Sequence, residues 1–93
     1  MLPTNRAPST PGEILLEEFL KPMGITQLAL AAKLGVPIQR VNSLIKGRRA
    51  VTADTAWKLA DQFKMSPQFW MNLQTNYDLW LARQQQQKKA CVG

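Results

Sequence analysis

Apolar residues recur along this chain at helical spacing, and turn-forming residues divide them into five runs. The first opens at Thr10-Pro11-Gly12-Glu13. A Thr hydroxyl ahead of the run, proline at the first helical position and a glutamate three residues after the Thr form a capping box, which satisfies amide donors that a helix start leaves unpaired. Ile14, Leu15 and Phe19 follow at helical spacing. Lys21-Pro22-Met23-Gly24 is expected to stop this helix, because Pro22 disfavours helical geometry at Lys21 and has no amide to donate.

Thr26 caps a second helix, Gln27 to Leu34, for which Leu28, Ala31, Ala32 and Leu34 are the predicted buried stripe. Gly35 supplies a left-handed turn, and Val36-Pro37 leads into a third helix over residues 38–46, with Gly47 just past its end. A fourth helix starts after Thr52, with Ala56, Trp57, Leu59, Ala60 and Phe63 predicted to face inward. Ser66-Pro67 opens a longer fifth helix through Phe69, Trp70, Leu73, Tyr77, Trp80 and Leu81. Residues 1–9, which carry Pro3 and Pro8, read as a flexible arm, and the glutamine-rich residues 84–93 as a low-complexity tail fraying from the last helix. No stretch alternates with period two, so the expectation is one all-α domain over residues 10–83.

Composition narrows what such a domain does. A chain of 93 residues with 45% hydrophobic content supports one modest core, and the balance of 12 Lys+Arg against 6 Asp+Glu, net +6, favours a polyanionic partner. There is no histidine and a single cysteine, Cys91, so one copy cannot assemble a zinc cluster, a disulfide or a Cys-His nucleophile. The expectation is a protein that is not an enzyme and carries no metal or cofactor. No apolar run approaches the roughly 18 to 20 residues that cross a bilayer, and the first nine residues have no apolar core of the signal-peptide kind. No membrane partner is therefore expected, and a reduced, cytoplasmic setting is.

The third helix carries the functional signal. At about 100° per residue, Ile38, Val41, Leu44 and Ile45 fall on one side, Gln39, Asn42, Ser43 and Lys46 on the other, and Arg40 on the flank. Gln and Asn pair bidentately with adenine, Ser is a short adaptable contact, and Lys and Arg reach guanine or phosphate. None of these side chains is acidic, and Arg48 and Arg49 follow directly. Residues 33–58 hold six cations against one acid, so most of the net charge lies there. Small Ala31 permits close helix crossing, Gly35 comes four residues later, and Val41 and Leu44 pack back, which is the set that a helix-turn-helix over residues 27–46 needs. The expected ligand is double-stranded DNA.

Beyond the helix-turn-helix, Pro11-Gly12-Glu13-Ile14-Leu15, Glu18-Phe19-Leu20, Pro22-Met23-Gly24-Ile25-Thr26-Gln27, the stretch 47–56 and Ser66-Pro67-Gln68-Phe69-Trp70-Met71-Asn72-Leu73-Gln74 with Tyr77-Asp78 make the sequence resemble HigA-type antitoxins, within the phage-repressor-like (XRE or Cro/C1 type) proteins. That resemblance implies a five-helix lambda-repressor-like fold with a long C-terminal dimerisation helix. It also implies a dimer that binds a palindromic operator in its own promoter and neutralises a HigB-type toxin, an mRNA-cleaving enzyme acting with the ribosome. By position, the family's base-reading face maps onto Gln39, Arg40, Asn42, Ser43 and Lys46, with Gln27 placed to meet a phosphate. One departure is Pro37-Ile38, where many repressors have a Ser-type cap and a polar residue.

Two further clusters bear on partners. Trp70, Leu73, Tyr77, Trp80 and Leu81 are a heavy apolar load for one helix of so small a domain and predict two-fold self-association, with packing inside the chain as the alternative. Glu13, Glu17 and Glu18 are half of all the acids. They suit a helix amino end, and Glu13 and Glu17, on one face, are candidate contacts for a basic toxin. The alternatives are a stand-alone repressor without a toxin, or an adaptor whose helix-turn-helix no longer binds DNA.

Overall fold

The computed structural model describes residues 7–92, with side chains as far as residue 87. Residues 1–6 of the expected arm and the side chain of Cys91 lie outside that range. Five helices build the described chain: α1 over residues 11–23, α2 Gln27–Leu34, α3 Ile38–Ile45, α4 Ala53–Phe63 and α5 Pro67–Val92. Thr10 and Thr26 cap as the sequence predicts, and Thr52 does the same for α4. The hydroxyls of Thr10, Thr26 and Thr52 accept from the amides of Glu13, Ala29 and Thr55 at 3.1, 3.0 and 3.3 Å. Glu13 makes no return bond, so the capping box at α1 is only half formed.

The expected stop within residues 21–24 falls at Gly24 and not at Pro22. Lys21 keeps helical dihedrals (φ −63°, ψ −51°), and α1 ends at Gly24, which takes the left-handed conformation at φ 66°. A π-helical turn over Leu15–Leu20 explains how Pro22 is tolerated. Widening the helix shifts the Lys21 amide to the Leu16 carbonyl, five residues back, and makes room for the pyrrolidine ring that an α-helical turn would crowd.

Three predicted inward positions also change. Leu28 is 65% exposed and Leu30 fully buried, because Leu30, Ala31 and Leu34 share the inner face of α2 while Leu28 and Ala32 lie outside it. On α4, Ala56, Leu59, Ala60 and Phe63 form the inner stripe at i, i+3, i+4, i+7. Trp57 lies one step beyond it and is 58% exposed.

The core joins Leu15 and Leu20 of α1, Leu30 and Ala31 of α2, Val41 and Leu44 of α3, Val51, Ala56 and Leu59, and Trp70 of α5. Phe19 extends it, with ring centroids 4.8 Å from Phe63 and 5.2 Å from Trp70. Beyond Trp70, α5 runs on as one helix through the glutamine-rich stretch to Val92. At about 1.5 Å per residue, its 26 residues account for most of the 48 Å long axis of the molecule. Among the described residues, no helix is long and apolar enough to cross a membrane.

Candidate nucleic-acid interface

Helix α3 is set between a turn and a glycine-terminated end. At its start, Gly35 (φ 70°) closes α2 with its own amide on the Ala32 carbonyl and the Val36 amide on the Ala31 carbonyl. This is a Schellman ending, and it turns the chain into Pro37. Pro37 occupies the cap position with extended dihedrals and offers no side-chain hydrogen bond, so the Arg40 amide is taken by the Pro37 carbonyl at 3.0 Å. Ile38 packs against the core, which fits its place on the inner side.

At its end the same device recurs. Gly47 (φ 75°) donates to the Leu44 carbonyl at 3.1 Å, and the amides of Arg48 and Arg49 both donate to the Ser43 carbonyl at 2.8 and 3.2 Å. The polypeptide therefore turns sharply off α3 and carries two guanidinium groups away from the helix end.

Val41 and Leu44 are buried, and the opposite side holds Gln39 and Lys46 exposed with Arg40, Asn42 and Ser43 half-buried. Among the described residues, none of these five side chains makes a hydrogen bond or ion pair within the chain. Arg48 and Arg49 are exposed and equally unpaired. The ion pairs lie elsewhere, Lys21 with Glu17 at 2.8 Å and Lys58 with Asp54 at 3.9 Å. The face thus offers amide and hydroxyl groups flanked by uncompensated cations, the chemistry suited to base edges and phosphates. Gln27, half-buried, stands at the amino end of α2 one residue after the Thr26 cap, where free backbone amides and the helix dipole favour an anion.

Two positions outside the predicted set hold this face in place. Gly12 of α1 is buried against the back of α3, and a Cβ there would lie 2.6 Å from the Leu44 carbonyl carbon, 2.7 Å from the Ile45 Cα and closer still to the Leu44 oxygen. Only glycine permits that approach. The signal was present in the sequence, since glycine inside a helix costs about 1 kcal/mol relative to alanine and implies a packing reason. Gln74 of α5 is 9% exposed, accepts from the Val51 amide at 2.9 Å and donates to Asp78 Oδ1 at 2.9 Å. It stands between Trp70 and Tyr77 at helical spacing, a polar residue within an apolar stripe.

The residues expected to mediate self-association divide. Trp70 is fully buried in the chain's own core, against Phe19 and Phe69, so it has no surface to give a partner. Leu73 is partly buried against that core. Tyr77 and Trp80 stack on each other at 6.0 Å, Leu81 is 37% exposed, and Leu79, which is outside the predicted stripe, is 65% exposed. Glu13 is exposed, and Glu17 is engaged by Lys21.

Comparison with known proteins agrees with this geometry. A helix-turn-helix family model matches residues 16–70. Virulence-associated protein I of Dichelobacter nodosus is 49% identical over 83% of this chain and 71% of its own length. Antitoxin HigA-1 of Vibrio cholerae is 46% identical over 97% of this chain and 85% of its own. The structure of Pseudomonas aeruginosa antitoxin HigA with the higBA promoter superposes with a TM-score of 0.84 at 42% identity, covering 89% of this chain and 90% of that one. With the family model spanning more than half the chain and a HigA antitoxin matching nearly all of it, this protein belongs to the helix-turn-helix family, among its HigA-type antitoxins.

Proposed function

We propose that this protein is an autorepressing antitoxin, which binds a palindromic operator in its own promoter as a dimer and neutralises a HigB-type mRNA-cleaving toxin. The observation that carries the DNA half is the unpaired face of α3, which carries amide, hydroxyl and cationic groups opposite a buried side. It is supported by the Pseudomonas aeruginosa HigA structure, which holds a promoter and shares this fold along nine-tenths of its length. Gln39, Asn42 and Ser43 read base edges from the major groove, with Arg40 and Lys46 at the flanks reaching base or phosphate. Arg48, Arg49 and the amino end of α2 at Gln27 engage phosphates and fix the register.

The exposed apolar residues of distal α5, Leu79 and Leu81 with the Tyr77–Trp80 stack beside them, support dimerisation. A dimer places two recognition helices about one DNA turn apart, as a palindrome requires. Glu13, exposed on α1, is a candidate contact for a basic toxin, and Glu17 joins it only by giving up Lys21. The deciding experiment is a salt titration of binding to the protein's own promoter, with and without the product of a neighbouring toxin-like reading frame. Tight, salt-dependent binding that the co-purifying toxin alters is expected. Promoter binding without any toxin that co-purifies leaves a stand-alone repressor, and promoter binding that is absent, or insensitive to Asn42→Ala and Arg40→Ala, leaves an adaptor.

A further inference from the structure

We propose that Gln74, oriented by Asp78, is a positioning residue for the basic segment after α3 and so sets how many phosphates the protein engages. This role rests on the DNA-binding reading above and adds to it a buried side chain on a different helix.

Between Gly47 and Thr52 the chain has no regular structure. Its upstream end is held by the Ser43 and Leu44 carbonyls and its downstream end by the Thr52 cap of α4. The tie between them is the Val51 amide on Gln74 Oε1 at 2.9 Å, formed in a buried setting. Val51 stands two and three residues beyond Arg49 and Arg48, so this bond fixes the backbone that aims both guanidinium groups. A buried amide donor that loses its acceptor is costly, and the segment would shift to find water.

Asp78 decides which way the Gln74 amide points. The Val51 N–H can only donate and the Asp78 carboxylate can only accept, so one orientation of the side-chain amide satisfies both, Oε1 toward Val51 and Nε2 toward Asp78. With the acceptor at 78 removed, only the Val51 N–H still selects that orientation, and the Gln74 amide is held from one side instead of two. Arg48, Arg49, Gln74 and Asp78 line one groove of about 220 Å³ between the basic segment and α5. The alignment of the arginines is thus built from α5, a helix remote in the sequence from the cations it serves.

The test measures binding of the full chain to its own promoter duplex and to an unrelated duplex, by fluorescence anisotropy between about 50 and 200 mM salt. Gln74→Leu is expected to weaken both complexes and to flatten the dependence of log K on log salt by about one to two, one phosphate contact being worth about 0.9. Gln74→Glu sets two carboxylates together and is expected to weaken binding as well. Gln74→Glu with Asp78→Asn keeps the wild-type net charge and rebuilds the chain of bonds, with the new carboxylate at position 74 accepting from both neighbours, so affinity and slope return to wild type. A Gln74→Leu protein that is folded by circular dichroism yet keeps the wild-type slope overturns the proposal. So does a double variant no better than Gln74→Glu, a comparison that decides the matter even where Gln74→Leu fails to fold. A wild-type chain that ignores the promoter duplex instead overturns the DNA-binding reading, and this role with it.

Discussion

Helix α3 and the distal half of α5 both present side chains that the chain itself leaves unused, and they are of opposite kinds. On α3 the unused groups are polar: Gln39, Arg40, Asn42, Ser43 and Lys46 have no partner within the described chain. On α5 they are apolar: Leu79 is 65% exposed and Leu81 37%. Polar groups in water are already satisfied, so the α3 face costs the monomer nothing and waits for a ligand that can replace its water. Exposed apolar surface costs about 25 cal/mol per Å², so the proposed covering of distal α5 by a second copy gains free energy whether or not DNA is present. In the proposed function, one face reads DNA and the other holds the dimer.

The largest effect comes from removing what both regions share. Trp70 anchors α5 in the core from which α3 is also built, and Trp70→Ala is expected to cost about 3–5 kcal/mol of stability by chemical denaturation. Binding and assembly should fall together in that variant. Unchanged stability would show that α5 does not depend on the core.

Gly12→Ala tests α3 alone. Its Cβ must push back the Leu44–Ile45 backbone, with an expected loss of about 1–3 kcal/mol from overpacking. Because the shift is applied to the back of the recognition helix, promoter affinity should drop even at a temperature where the protein stays folded. Wild-type affinity in a folded variant would mean that α1 does not set the position of α3.

Separating the two faces requires surface changes. Asn42→Ala is expected to relax preference at one base pair by about 1–3 kcal/mol, with the sedimentation coefficient and melting temperature unmoved. Leu79→Lys should do the converse, shifting sedimentation toward the monomer while each half-site keeps its base preference. The contrast between the regions collapses if either variant moves both readouts. The smallest effect is expected from Arg48→Ala, a salt slope reduced by about 0.9 on promoter and unrelated DNA alike.

Much of this arrangement was legible along the chain. The Thr caps, the glycine ends of α2 and α3, and the two-sided pattern of residues 38–46 are local features, governed by bonds within one or two turns. The departures from expectation have two sources, backbone geometry and burial. Pro22 sits in a helix because a π turn upstream widens it, Leu30 and not Leu28 faces inward, and Trp57 stands outside. The two burial changes depend on which side of a helix another element covers, and for short apolar-rich helices such as α2 the periodicity admits more than one stripe.

The sequence by itself determined that this is an all-α helix-turn-helix protein, that its polar face on α3 carries no acid, and that its charge clusters beside that face. Those properties follow from spacing and residue chemistry, which are written locally. Only the tertiary structure decided that Trp70 belongs to the core, that Gly12 carries the recognition helix at backbone contact, and that Gln74 holds the basic segment from the far helix. Gly12 and Leu44 are 32 positions apart and Val51 and Gln74 are 23, and no local pattern encodes a distance that the fold alone closes.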